Sequence, residues 1–358
     1  MKIATIVGAR PQFIKAAVVS RSIAKHSDIE EIIIHTGQHY DTNMSDVFFQ
    51  EMDIPHPHYN LGINQMTHGA MTGRMVEQIE GILLNEKPDC LLVYGDTDST
   101  LAGALAACKI GIPIAHVEAG LRSFNMAMPE EINRILTDRI STLLFCPTDT
   151  AVQNLKQEGY DNIDAHVIRS GDVMYDAALY YAQHAKAPNC ALPQSYILCT
   201  LHRAENTDDP QILGTLFKSL ETISSTIIPI VIPLHPRTKS KLQGIGFDFA
   251  QSPILFINPA SYFEMIYLIQ HSQMIMTDSG GLQKEAYFFK KKCVTLREET
   301  EWVELVDVNA NKLVGSDSDK ILRTVTAMLE QNVDFALPLY GDGHTGDAIV
   351  ERLKNVFS

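Results

Sequence analysis

No apolar run in this chain approaches the roughly 20 residues of a membrane-spanning helix, so no span is expected. The sequence opens directly into a short strand without a cleavable apolar stretch, which argues against secretion. Basic charge is scarce. The 29 Lys and Arg stand against 43 Asp and Glu, a formal net charge of −14, so a nucleic-acid-binding surface is not expected. An anionic small molecule is still admissible, because a local cluster of Arg, Lys and N–H groups matters more than the net sum. No C-x-x-C pair occurs. Cys90, Cys108, Cys146, Cys190, Cys199 and Cys293 mostly sit in apolar strand or helix patterns and read as buried reduced thiols of a cytoplasmic protein, with no metal spacing. No G-x-G-x-x-G follows any strand, which weakens the case for a dinucleotide dehydrogenase. Internal repeats, low-complexity tracts and coiled-coil heptads are lacking too.

What is present is an alternation of short apolar runs with helical patterns. Strands are predicted at 2–7, 31–35, 90–94, 112–117, 142–146 and 165–168, with helices at 11–26, 43–52, 67–86, 99–110 and 130–141 between them. A second series of strands runs through 196–200, 227–234, 254–257, 274–277, 292–296 and 312–313, and an amphipathic helix is expected at 345–357. Short strands separated by helices of this length imply parallel βαβ units. The length of 358 residues favours two domains, and 45% hydrophobic residues suffice for two cores. The fold class is α/β: two Rossmann-like doubly wound domains facing a cleft, residues 1–172 and 173–344. In such sheets ligands lie beyond the carboxyl ends of the strands.

Two strand–turn–helix junctions stand out. Gly8-Ala9-Arg10-Pro11-Gln12-Phe13-Ile14-Lys15 follows the first strand, and Thr277-Asp278-Ser279-Gly280-Gly281 follows the run 274–276. A helix N-terminus carries unpaired N–H groups and a partial positive charge, so each turn suits a phosphate. Pro11 fits the first helical position. Arg10 could hold a phosphate bidentately and Lys15 adds a point charge one turn further in; alternatively both cap surface carboxylates.

Three carboxylates fall at strand ends or a helix start on one rim: Asp96 in GDTDST, Glu118 in HVEAGLR and Glu130 in PEEINR. Clustered carboxylates shift one another's proton affinity, which is how acid/base pairs arise. Glu131 simply suits a helix N-terminus. In the second half His202 and His235 end strands. Either could titrate in the cleft near neutral pH or be structural. Glu285 lies one helical turn inside from Gly281, placed to accept ribose hydroxyls while the amides of Ser279, Gly280 and Gly281 hold phosphates. Arg297 adds to that anion site. Asp96-Thr97-Asp98-Ser99-Thr100 together with Gly171-Asp172-Val173-Met174-Tyr175-Asp176 also mimics a magnesium-dependent phosphohydrolase of the haloacid-dehalogenase type, but that reading leaves His202, Gly280-Gly281 and the whole second domain unused.

The ordered set GARPQFIK, GDTDST, HVEAGLRS, PEEINR, TLHRAEN, TDSGGLQKEA, LREETEWVE and YGDGH resembles the non-hydrolysing UDP-N-acetylglucosamine 2-epimerases over nearly the whole chain. The resemblance implies a glycosyltransferase-B type fold, a homodimer, and a last helix, 345–358, packing back on the first domain. It implies Asp96, Glu118 and Glu130 as catalytic carboxylates assisted by His202. Arg10, Lys15, Arg297 and the turn Ser279-Gly280-Gly281 would hold the diphosphate and Glu285 the ribose, with Arg122 and His235 also at the substrate. No cofactor and no metal is implied. The chemistry would expel UDP, remove the carbon 2 proton to give 2-acetamidoglucal, and re-add UDP after protonation from the other face.

The chain departs from the usual pattern at Ala9, Gln12-Phe13, Trp302-Val303 and Ala260-Ser261-Tyr262. These changes look similar to the branch acting on UDP-2,3-diacetamido-2,3-dideoxyglucuronic acid, the alternative substrate. The second-substrate site of some family members is matched at Gln38, His39 and His235 but not at Asp41 or near residue 65, so no activation by substrate is expected. A retaining glycosyltransferase, a hydrolysing 2-epimerase and a silent nucleotide-sugar sensor are the competing readings.

Overall fold

A computed structural model describes residues 1–38 and 56–357, with Arg10 described by its backbone alone. The expected helix at 43–52, His39 and Asp41 lie outside the described residues. Seven strands form the first sheet: β1 (Lys2–Val7), β2 (Glu30–His35), β3 (Tyr59–Asn60), β4 (Cys90–Tyr94), β5 (Ile114–Val117), β6 (Leu143–Cys146) and β7 (His166–Arg169). Six form the second: β8 (Ile197–Thr200), β9 (Ile230–Pro233), β10 (Leu255–Ile257), β11 (Met274–Thr277), β12 (Lys292–Thr295) and β13 (Asn311–Leu313). The orders are β3-β2-β1-β4-β5-β6-β7 and β10-β9-β8-β11-β12-β13, and every pairing is parallel. A parallel sheet is covered on both faces, which is why its strands read as unbroken apolar runs. The two-residue β3 carries no such run and escapes sequence reading.

Proline trims two expected strands. Pro113 and Pro229 lack the N–H that the ladder needs, so pairing begins at Ile114 and Ile230. The cores are separate. Ile6, Ile34, Met75, Ile79 and Leu91 pack in one, and Leu213, Leu216, Phe217, Met276 and Val294 in the other.

The chain divides into unit 1, Met1–Ala177 with Pro338–Ser358, and unit 2, Ala178–Leu337. Within unit 1 the final helix Thr345–Phe357 packs on the first helix, Arg10–Ile23. Contact is close at Gly346, where a Cβ would fall 2.8 Å from Val18 Cγ1. Lys25 pairs with Asp347 at 2.6 Å and Lys354 with Asp28 at 2.9 Å. Asp176 accepts from the Gly346 N–H at 2.8 Å, and Asp172 Oδ1 accepts from Met174 N–H at 2.8 Å. The acidic residues that imitate a phosphohydrolase motif thus cap local backbone and tie down the C-terminal segment. Among the described residues no helix is long and apolar enough to cross a membrane.

Both sheets reverse their strand order between the first and fourth strand of the unit, β1/β4 in one and β8/β11 in the other. The loops leaving these four strands carry GARPQFIK, GDTDST, TLHRAEN and TDSGGLQKEA, at the position where doubly wound sheets bind ligands, and HVEAGLR and LREETEWVE follow the neighbouring strands β5 and β12.

Candidate active site

In unit 1, β1 ends at Gly8, where a Cβ would lie 2.0 Å from Ser99 Oγ and 2.2 Å from Thr36 Oγ1. Only glycine lets the strand end there. The next turn departs from expectation. Buried Gln12 accepts from the N–H groups of Gly8 at 2.8 Å and Ala9 at 3.0 Å, and donates to Tyr94 O and Thr100 Oγ1 at 2.9 Å. These amides are therefore occupied by the chain itself, so the turn is a brace joining β1 to β4 and not an open phosphate cradle. Lys15, expected at a phosphate, is buried and forms an ion pair with Glu118. Arg10 opens the helix; its side chain lies outside the described residues.

The loop after β4 presents Asp96. Arg134 donates to its carboxylate, and Asn133 Nδ2 donates to its main-chain carbonyl at 3.0 Å. Burial pulls the Arg134 pKa down, but the carboxylates of Asp96, Glu131 and Glu118 outweigh it, and the net shift is upward. Asp96, Glu118, Lys15 and Arg134 therefore form one alternating charge cluster. Glu118 holds a left-handed backbone, φ 74°, uncommon for a side-chain-bearing residue. The strain turns its carboxylate to Lys15 while its N–H bonds Phe145 O at 3.1 Å.

Glu130 is exposed in the first turn of the helix Pro129–Ile140. Its neighbour Glu131 is fully buried. Glu131 accepts from Ser123 N–H, Ser123 Oγ–H and Phe124 N–H, each at 2.9 Å, and from Arg134 at 3.0 Å. It is more than a favourable helix-start acid: it clamps the loop at Phe124.

Two residues of the HVEAGLR motif are hydrogen-bonded to other parts of the chain. His116, not singled out from sequence, is buried, with Nδ1 2.7 Å from Asp138 Oδ1 and Nε2 2.7 Å from Gly95 O. Arg122, expected at the substrate, is engaged within the chain. Its buried guanidinium donates to Asp138 at 2.7 Å, to Leu121 O at 2.7 Å and to both oxygens of the partly exposed Glu158 at 2.6 and 2.7 Å. A bidentate guanidinium already matched to carboxylates has little left for a ligand. Gln38 is similarly engaged, accepting from Ser99 N–H and Oγ–H at 3.0 and 2.6 Å.

Unit 2 centres on Asp278, which sequence reading left as a turn residue. Its fully buried carboxylate accepts from His202 N–H and Arg203 N–H at 2.9 Å and from Asn206 Nδ2 at 3.2 Å. It also lies 3.1 Å from His202 Nδ1. Burial would push its pKa up, but the His202 contact and these N–H groups prevail and hold it below the ordinary carboxylate range. The His202 ring is half exposed, with Nε2 directed away from its anchor.

Helix Gly280–Phe288 begins with the Gly280 and Gly281 amides, which have no acceptor among the described residues; the Ser279 N–H bonds Thr277 Oγ1 at 2.9 Å. This is the open anion site of the two turns. Arg203 Nη2, missed from sequence, lies 4.0 Å from where a Gly280 Cβ would stand, beside Glu301 and Trp302 Nε1. Arg297 is buried with both terminal nitrogens on Glu301 at 3.2 and 3.3 Å. Glu285 is half buried one turn along this helix. His235 is exposed; its Nδ1 accepts from Arg237 N–H at 3.3 Å and caps the helix Pro236–Gly244.

A depressed Asp278 pKa carries a stability consequence. Its contribution is complete above the ordinary Asp value of 3.8 and disappears as pH falls through the lower folded value. Asp278→Asn should therefore be less stable than wild type at pH 7 and flatten the decline of stability below pH ~4. Thermal melts of both proteins across that range check this; parallel pH curves would show that the carboxylate does not contribute.

Two doubly wound parallel sheets, each with its polar motifs at the switch point, define an α/β protein of nucleotide-binding architecture. The chain matches the UDP-N-acetylglucosamine 2-epimerase family over residues 21–354 and belongs to that family, whose members are isomerases. It is 53% identical to a UDP-2,3-diacetamido-2,3-dideoxy-D-glucuronate 2-epimerase of Pseudomonas aeruginosa, covering 99% of this chain and 100% of the relative. It is 45% identical to a UDP-N-acetylglucosamine 2-epimerase of Methanococcus maripaludis, covering 98% and 97%. Its fold is the glycosyltransferase-B type of the solved UDP-N-acetylglucosamine 2-epimerases. The Methanocaldococcus jannaschii enzyme, crystallised with UDP-GlcNAc and UDP, matches with a TM-score of 0.87 and 41% identity, covering 99% of this chain and 100% of that one.

Proposed function

We propose that this chain is a non-hydrolysing 2-epimerase that interconverts UDP-N-acetylglucosamine and UDP-N-acetylmannosamine. The observation that carries the reading is the charge cluster at the β1/β4 switch point, Lys15–Glu118 with Arg134–Asp96, in a chain whose other sheet ends in open helix-start amides beside Arg203.

The carbon 2 proton of the sugar is not activated, so its removal follows loss of the anomeric substituent. The C1–O bond breaks, UDP leaves with the electron pair, and a carboxylate takes the carbon 2 proton, giving 2-acetamidoglucal. The Gly280 and Gly281 amides and Arg203 suit the charge growing on the departing diphosphate. Asp96, Glu118 and Glu130 supply the proton-transfer groups, with Lys15 orienting Glu118 and Arg134 orienting Asp96. Protonation on the opposite face and return of UDP to C1 give the epimer. His202, anchored by Asp278, serves as a further donor.

UDP-2,3-diacetamido-2,3-dideoxyglucuronic acid is the second reading of the substrate. The higher full-length identity to the P. aeruginosa relative and the altered Gln12-Phe13 and Trp302-Val303 segments favour it. Six free cysteines suit a cytoplasmic enzyme. Exposed Phe124, Met126, Ile132 and Leu136 suit a second copy of the chain. The product, an activated amino sugar, suits a glycosyltransferase that builds surface polysaccharide.

Proton NMR of the protein with each UDP-sugar in heavy water tests the reaction. A new manno anomeric signal, deuterium at carbon 2 and no free sugar are expected. Release of free sugar would indicate the hydrolysing type. No exchange with either sugar despite UDP binding would overturn the epimerase reading.

A further inference from the structure

The cationic side chains described around the unit 1 cluster are engaged with carboxylates of the chain itself: Lys15 with Glu118, Arg134 with Asp96 and Glu131, Arg122 with Asp138 and Glu158. His68 differs. It opens the helix His68–Glu86, whose N-terminus lies at the carboxyl end of the parallel sheet, and its side chain is 71% exposed. Its Nδ1 stands 2.7 Å from Asp98 Oδ2, on a carboxylate that is only 6% exposed. Asp98 Oδ1 accepts from Asn133 Nδ2 at 3.1 Å, and the same amide donates to Asp96 O at 3.0 Å. His68, Asp98, Asn133 and Asp96 thus share one hydrogen-bonded frame.

An acid at a helix start is favourable in itself. Asp98 does more, since it pins one nitrogen of a surface ring while Nε2 has no partner among the described residues. The same device recurs in unit 2, where buried Asp278 holds exposed His202. A surface imidazole fixed in this way is a pre-organised contact for something outside the chain.

We infer that His68 is a specificity-determining residue, whose Nε2–H binds the carboxylate of an acidic sugar ring and selects a hexuronate over a neutral N-acetylhexosamine. The inference rests on the proposed epimerase reaction and on its second reading, with the uronic acid as substrate. A hexuronate brings a further negative charge towards Asp96, Glu118 and Glu130, and like charges at short range repel. It needs a donor that the engaged Lys15 and Arg134 do not offer. A protonated imidazole donates at both nitrogens, one to Asp98 and one to the sugar carboxylate. A neutral ring would instead accept from a sugar hydroxyl and serve both sugars alike.

The test is steady-state epimerisation of three substrates by wild type, His68→Gln and His68→Arg. The substrates are UDP-N-acetylglucosamine, UDP-2,3-diacetamido-2,3-dideoxyglucuronic acid and the neutral UDP-2,3-diacetamido-2,3-dideoxyglucose. His68→Gln should raise KM for the uronic acid about ten- to a hundred-fold with kcat nearly kept, leave both neutral sugars within about two-fold, and be rescued by His68→Arg. Equal effects on acidic and neutral sugars, no effect on any, or a wild type that turns over only neutral sugars would overturn the assignment while leaving the epimerase intact. A wild type inactive on all three would overturn the reaction itself, and the assignment with it.

Discussion

Asp96→Asn should lower kcat by about 10²–10⁴-fold, the usual contribution of a positioned proton-transfer group, while UDP still binds. The prediction follows from geometry. The change keeps the shape of the side chain and leaves an amide oxygen for Arg134, which retains Glu131 at 3.0 Å, so the cluster stays assembled without its titratable group. The open amides and Arg203 belong to unit 2 and are not touched. Isothermal titration with UDP, alongside turnover and deuterium uptake at carbon 2, separates the two effects. Wild-type turnover would remove Asp96 from the chemistry. Loss of UDP binding in step with turnover would make it a structural residue.

Asp138→Ala is expected to be the most damaging single change to unit 1. The Asp138 carboxylate is fully buried and faces Arg122 Nη1 at 2.7 Å, His116 Nδ1 at 2.7 Å and Gly120 N–H at 3.1 Å. Removing one partner of a buried charged network leaves the others uncompensated, at a cost of about 3–5 kcal/mol. For units of this size that lowers Tm by roughly 6–20 °C. Asp138→Asn should be milder, because its carbonyl can face Gly120 while its amide faces His116. An alanine variant melting with wild type would show that Glu158 alone sustains Arg122. Because His116 also contacts Gly95 O, the alanine variant should lose activity before it unfolds, through the loop that carries Asp96.

Strands and most helices were open to sequence reading because a buried parallel strand leaves an unbroken apolar run, as at Lys2–Val7 and Met274–Thr277. Side-chain partnerships were not, because they are made across the fold. Gln12 reaches Tyr94 and Thr100, and Lys15 reaches Glu118. Nothing local in GARPQFIK signals that its amides and its lysine are already matched. The partners of Arg122 were hidden for the same reason, since Asp138 lies on the helix Pro129–Ile140 and Glu158 caps the end of the helix Asp149–Gln157. Asp278 was visible as part of a turn, but its hold on His202 depends on β8 and β11 lying side by side. What could be read was the set of residues at the switch points; which were matched internally and which remained open required the register.

The tie between Asp176 and Gly346 has a bearing on biosynthesis. Unit 2 is, in chain order, an insertion within unit 1. On the ribosome residues 178–337 are complete while the first unit still lacks the helix Thr345–Phe357, so the apolar face of its first helix stays open until that helix emerges. Truncation near the C-terminus should therefore harm the half of the molecule made first, and that half is the one with the longest exposure to chaperones and proteases.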